Sequence, residues 1–179
     1  ASGGLDIAET QLREMLLRRV GILQRIDAEP SPSEQKELDA IQLSILDARD
    51  KAIAAYDPKD QYYRTGQLVG LVLQTGEDSR EVATSILKSH VKENPHDTGL
   101  QFALAMLLQR QGLYEEATEV AQGILDTPQL QVSLFAIQQF IVRPQAAQLL
   151  VILSTDQFFN SEGDERLAFV ATAKRHREV

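Results

Sequence analysis

Histidine is the residue type in this sequence best suited to general base catalysis or metal binding near neutral pH. His90 and His96 stand six residues apart, on either side of Pro95. That spacing places the two imidazole rings on different elements, so they are not expected to converge on one metal ion or one substrate. We interpret them as one histidine on a helix and one in a loop.

A second group of residues that could bind a metal ion or act as acids and bases is a cluster of glutamates. Glu115, Glu116 and Glu119 lie close together in the chain, and carboxylates can hold Ca²⁺ or act in acid–base catalysis. Carboxylates in the first turn of a helix also favour its dipole and usually face solvent, and we prefer that interpretation. The sequence has no glycine-rich phosphate loop, no G-x-S-x-G, no H-E-x-x-H and no cysteine. We therefore predict a non-enzymatic protein without metal or cofactor.

Composition narrows the class of protein and of partner. The chain has 179 residues, of which 43% are hydrophobic and 25% charged, and its richness in Leu, Ile, Val, Ala, Gln and Glu favours helices. Eighteen basic residues face 26 acidic ones, which gives a net charge of −8. Such a balance repels phosphate backbones, so nucleic-acid binding is not expected. Between Thr127 and Thr155 the only charge is Arg143, but glutamines and Pro144 interrupt this stretch, which predicts two buried helices instead of a membrane span.

The N-terminal part, residues 1–57, is predicted to be a helical hairpin. Apolar residues recur at steps of three and four over residues 5–27, interrupted by Arg19, as in a heptad pattern. Ser31 and Glu34 form a capping box with Pro32 at the first helical position. A second apolar stripe then runs to Tyr56.

The middle part, residues 58–128, repeats itself in pairs of helices. Ala83 and Ala117 take matching places 34 residues apart, and Pro95 and Pro128 end the second helix of each pair. A period near 34 in helical pairs is typical of a solenoid. The four helices are expected at about 59–74, 79–93, 98–111 and 114–126.

One string in this part carries a family resemblance. Residues 112–117, GLYEEA, resemble the turn and the start of the second helix of a tetratricopeptide repeat (TPR). Leu104, Ala105 and Leu108 match positions of the family's first helix, whereas Gln101 stands where the family usually has Trp. The resemblance covers about residues 64–128. It implies an all-α fold, an α-solenoid of antiparallel helix pairs wound into a right-handed superhelix.

The resemblance also implies a binding groove, since the first helix of each pair lines the concave face in TPR proteins. The implied groove is mainly apolar and lacks the family's carboxylate clamp apart from one arginine. It favours either an amphipathic segment of a partner or an element of the same chain. The implied partner-binding residues are Val69, Leu73, Phe102, Met106, Gln109 and Arg110.

The C-terminal part, residues 129–179, is predicted to hold a helix pair split at Pro144 and a capping helix from Asp164 to about Arg177. Together with the two preceding parts it would form one continuous array. The basic residues near its end suit a helix C-terminus.

Two functions remain open from the sequence. The first is a protein-interaction or assembly module that binds a protein or peptide segment on the groove. The second is a scaffold that self-associates into a homo-oligomer through the heptad-like helix at 5–27. A coiled coil followed by TPR pairs resembles bacterial envelope scaffolding proteins, which favours an extracytoplasmic or membrane-tethered location over a cytoplasmic one. The self-association seam would consist of Leu12, Met15, Ile22 and Ile26.

Overall fold

A computed structural model describes residues 3–26, 29–76, 78–128 and 134–160, with side chains of the last range described at 141–157. Over these ranges the chain is helical without a strand, which confirms the all-α prediction. None of the helices in the described ranges combines the length and apolarity needed to cross a bilayer. The elements are α1 (Gly3–Leu23), α2 (Pro32–Ala55), a short 3-10 helix (Tyr62–Arg64), α3 (Thr65–Val72), α4 (Ser79–Glu93), α5 (Thr98–Arg110), α6 (Tyr114–Asp126) and α7 (Leu134–Asn160).

The chain divides into two compact units, Ala1–Ile86 and Leu87–Val179, and α4 runs across the division. In the first unit α1 packs along α2, and α3 contacts both. Burial of the aliphatic faces of these helices supplies the main stabilising contribution to this unit. Its core contains Leu12, Leu16, Ile22, Ile41, Ile45, Ala48 and Leu71.

The residues predicted to form a self-association seam lie in this core. Leu12 and Ile22 are buried members of it, and Met15 and Ile26 pack against it while partly buried. In the first unit the seam therefore forms the contact between α1 and α2. Ile26 lies beyond the end of α1 at Leu23, so the helix is shorter than the 5–27 predicted.

The start of α2 follows the capping prediction. The backbone N–H of Glu34 donates to the Ser31 hydroxyl, and the backbone N–H of Ser31 donates to the Glu34 carboxylate at 2.8 Å. Pro32 occupies the first helical turn, where its missing N–H leaves no hydrogen bond unmade. Three residues of local sequence thus determine where this helix begins.

The start of α3 differs from the prediction. We expected a helix from about 59, but α3 begins at Thr65 after the short 3-10 helix. The Asp57 carboxylate accepts from the backbone N–H of Lys59, and the Asp57 carbonyl accepts from Gln61 N–H. These bonds close a turn, and an aspartate that bonds its own backbone two residues on favours a turn over a helix start.

The second unit is built on α5, α6 and α7, each of which packs against the other two. Asp97 caps α5, since its carboxylate accepts from Leu100 N–H at 3.1 Å. Gly112 follows the end of α5 at φ +75°, a conformation that glycine adopts without strain. Both signals lie in the local sequence, and α6 begins and ends as predicted.

The predicted break at Pro144 is absent, because α7 is one helix that runs through this proline. Val142 and Ala146, on either side of Pro144, both pack against Ile124 of α6. Apolar burial before and after the proline offsets the hydrogen bond that the proline removes. Ile141, three residues before Pro144, is 56% exposed. The predicted capping helix at 164–177 lies outside the described residues.

Candidate interaction surface

In the second unit α7 covers part of the predicted groove. Phe102 packs against the cluster of Ile124, Val142 and Ala146, and the Gln109 side-chain amide donates to Asp156 of α7 at 3.3 Å. At these two positions an element of the same chain occupies the face that the resemblance assigned to a partner.

The remaining groove positions differ in accessibility. In the second unit Met106 is half-buried and Arg110 is exposed. In the first unit Val69 of α3 is buried, whereas Leu73, just beyond the end of α3, is 38% exposed. Val69 thus serves the core, and Leu73 can still meet another molecule.

Three large aliphatic side chains that lie close together on α1 are exposed. Leu17 is 71% exposed, Leu23 50% and Val20 46%. Steps of three residues place them along one strip of the helix, which we call the α1 strip. One apolar stripe was predicted for α1, and these three residues lie outside it. The signal was the adjacent pair Leu16 and Leu17, whose side chains point about 100° apart around the helix, so that α1 carries apolar residues over more than one narrow stripe.

A pocket of about 240 Å³ opens beside the α1 strip. Leu16 and Leu71 belong to the core of the first unit, so the pocket reaches down to that core. No acidic side chain lines it. Its walls are four aliphatic side chains, two arginines and one glutamine: Leu16, Leu17, Val20, Leu71, Arg13, Arg19 and Gln74.

Arg19 is held in the wall of this pocket by two hydrogen bonds. Its guanidinium donates to the Gln42 side-chain oxygen at 3.1 Å and to the Gln74 carbonyl at 2.5 Å. Gln42 in turn donates to the Thr75 carbonyl at 2.6 Å. The cation therefore lies at the C-terminal end of α3, where the helix dipole favours positive charge. These bonds explain the arginine that interrupts the apolar pattern of α1.

Arg13 is the second cation of the pocket. It is exposed and makes no hydrogen bond or ion pair with any residue that the structure describes. A guanidinium on an aliphatic wall is free to bind a carboxylate of another molecule, and two parallel N–H···O bonds are its preferred geometry.

An ion-pair cluster around the buried Glu9 ties α1 to the segment before α3. Arg64 donates to the carboxylates of Asp6 and Glu9, and Gln67 donates to the same oxygen of Glu9. Glu9 is 2% exposed. The hydrogen bonds to both carboxylates raise the pKa of the Arg64 guanidinium above its usual range. The pairing of the buried Glu9 carboxylate with Arg64 and Gln67 makes the cluster a structural element of the first unit.

The histidines occupy separate environments. His90 is fully buried in α4, with its Nε2 atom 3.0 Å from the Asp97 carboxylate, whereas His96 lies exposed in the following turn. Across the described ranges, no three His, Cys, Asp or Glu side chains meet as metal ligands would. The acidic group on α6 is exposed, and Glu116 pairs with Lys88 at 2.5 Å. His90 and Glu116 therefore take part in one internal and one surface pair.

Comparisons with known proteins add no family to this description. No protein-family model matches the sequence, and no curated protein and no solved structure matches it. The function of the α1 strip and its pocket therefore rests on their geometry.

Proposed function

We propose that this chain is a non-enzymatic protein-interaction module and that the α1 strip, with the pocket beside it, is its contact surface. The observation that carries the proposal is the exposure of Leu17, Val20 and Leu23 next to a pocket that reaches the core. Clustered aliphatic side chains beside a concave, polar-rimmed site are typical of surfaces that bind another protein. Burying them against a partner removes apolar area from water.

Internal pairing of the charged side chains supports binding over catalysis. Glu9 is neutralised by Arg64, and His90 is held beside Asp97 at the start of α5. A catalytic site needs titratable groups that converge on an open cavity. The two arginines of the pocket supply charge for recognition, since guanidinium stays protonated and does not serve as a base.

We also propose that α3–α6 are two TPR-like helix pairs within a right-handed solenoid of antiparallel pairs. Ala83 and Ala117, 34 residues apart, are both fully buried, as small residues at repeat contacts would be. Ala105 and Leu108 of α5 are buried too. A crystal structure tests this: parallel α5 and α6 helices, or a left-handed array, would contradict the repeat assignment.

The alternative is self-association of two copies of this chain through α1. Because Leu12 and Ile22 of the predicted seam lie in the core, the α1 strip would supply that contact. Light scattering coupled to size exclusion over a hundredfold dilution separates the two. A partner-binding module is expected to keep a mass near its own 19.9 kDa at every concentration. A stable mass of about twice that value would favour self-association, because identical patches on two subunits build closed dimers.

Capture from an extract of the source cells tests partner binding. We expect the double variant Leu17→Asp and Val20→Asp to lose the captured proteins, because each carboxylate would have to be desolvated on contact. Leu43→Asp is the matched control, since Leu43 is 69% exposed on α2 and lies outside the strip and pocket. Equal capture by the double variant and the control would contradict the assigned surface.

A further inference from the structure

We infer that the partner element of the α1 strip is an acidic amphipathic helix. Its aliphatic side chains would enter the pocket, and its carboxylates would bind Arg13 and Arg19. This inference rests on the proposed function and adds the chemistry of the partner to it. The juxtaposition that carries it is two guanidinium groups on the wall of a pocket whose other lining is four aliphatic side chains and one glutamine, with no acidic side chain.

The size of the pocket favours side chains over a small molecule. Small-molecule sites usually enclose about 300–1,000 Å³, whereas this pocket measures about 240 Å³ and is bordered by Leu17, which is 71% exposed. An open pocket of this size accepts one or two side chains of a larger partner. The exposed strip beside it then supplies the rest of the contact area.

The surrounding elements favour a helix as the partner. Strand addition needs an exposed sheet edge, and the described part of the chain has no strand. The strip and pocket belong to α1 and to the end of α3, and side chains on neighbouring helices form ridges and grooves into which a third helix packs. Apolar residues spaced by three and four along the partner helix would pack against Leu17, Val20 and Leu23.

The charges at the pocket favour acidic anchors. Arg19 is already oriented by Gln42 and Gln74, so little side-chain entropy is lost when a carboxylate approaches it. Arg13 makes no bond with a described residue that would have to break. The chain as a whole is acidic, at −8. Its more distant charges are screened beyond about 8–10 Å at physiological salt, whereas contacts at the pocket are not.

The experiment is a display selection with the 179-residue chain, using random peptides of about 16 residues, some four helical turns. The best binders are then measured by fluorescence polarisation. We expect enriched peptides to be net acidic with aliphatic residues at steps of three and four. Replacing their Glu and Asp by Lys should weaken binding about tenfold or more, because like charges would then meet.

Arg13→Glu and Arg18→Glu form the matched pair of variants. Both change the net charge of α1 equally, but Arg18 is exposed and does not line the pocket. We expect Arg13→Glu to weaken the acidic peptides about tenfold and Arg18→Glu less than about twofold. Neutral or basic enriched peptides, equal losses in both variants, or no enrichment would overturn the inference.

The outcomes for the partner chemistry and for the proposed function remain distinguishable. Enriched basic peptides that Leu17→Asp abolishes would overturn the acidic helix while supporting the α1 strip as a contact surface. Acidic peptides that bind equally well to Leu17→Asp would overturn both, because binding would then not involve the strip.

Discussion

The guanidinium of Arg143 on α7 donates to the carbonyl oxygen of Thr127 at 3.0 Å, just beyond the last residue of α6. It also reaches the Ile124 carbonyl at 3.4 Å. The single charge in the stretch between Thr127 and Thr155 thus caps the preceding helix, where the last carbonyls lack partners and the dipole favours a cation. The contact joins α6 and α7 beside their shared apolar cluster.

We therefore predict that Arg143→Met lowers the free energy of unfolding by about 1–2 kcal/mol, through the lost hydrogen bonds and dipole interaction. Chemical denaturation followed by circular dichroism measures the change. Arg143→Lys keeps the charge and should recover part of the loss. No difference between native and Met proteins would show that water replaces the guanidinium at these carbonyls without cost.

The cluster around Glu9 predicts a non-additive pair of substitutions. Arg64→Met should destabilise the chain by about 3 kcal/mol, because it leaves the carboxylate of Glu9 buried without its cation. Adding Glu9→Gln should recover much of that loss, since a neutral amide costs less to bury. Denaturant unfolding of the two single variants and the double variant gives the coupling energy.

Asp6→Asn serves as the control in that cycle. The Asp6 side chain is 54% exposed, and exposed ion pairs contribute about 0–1 kcal/mol. A double variant no more stable than Arg64→Met alone would contradict the role given to the buried charge.

The capping box predicts an acid-sensitive contribution from Glu34. Hydrogen bonds from the Ser31 hydroxyl and then the Ser31 backbone N–H lower the pKa of Glu34 below its ordinary 4.5. The ionised form is therefore favoured by folding, and its contribution to stability is complete above that ordinary value. It is lost as pH falls through the lower folded pKa.

The measurement is the difference in free energy of unfolding between the native chain and Glu34→Gln as a function of pH. We expect a constant difference at neutral pH that shrinks below about pH 4.5. Taking the difference removes the effect of the other carboxylates, which both proteins share. A difference that grows on acidification would mean that the carboxylate stabilises the helix when protonated.

We expect Gly→Ala substitutions at two positions of the second unit to change the free energy of unfolding in opposite directions. Gly123 lies inside α6 with nothing within 4 Å of an added Cβ. Gly123→Ala should therefore raise the free energy of unfolding by about 0.5–1 kcal/mol, by reducing the entropy of the unfolded chain. Thermal or denaturant unfolding measures the gain.

Gly112 is the counterpart, because the space around it is also open but its φ is +75°. Gly112→Ala should lower stability by about 1–2 kcal/mol, the cost of a Cβ in the left-handed region. Equal effects at both positions would show that space, and not backbone conformation, decides the response.

The α1 strip illustrates how far the sequence could predict the surface. The apolar residues of α1 were visible in the sequence, but their division between core and surface was not. Which of Leu16 and Leu17 is buried depends on where α2 and α3 pack, and those helices come from more distant residues. For the same reason the sequence left open whether Phe102 meets a partner or an element of its own chain, and the packing of α7 decided it.

The helical class and many helix ends were determined by the sequence alone. The Ser31 capping box, the Asp97 cap and the turn at Gly112 depend on hydrogen bonds and backbone freedom within a few residues, so local sequence is enough. Tertiary structure alone decided that α7 continues through Pro144 and that Arg19 reaches the end of α3. Both depend on packing and hydrogen-bonding partners far along the chain, whose contributions exceed the local preference.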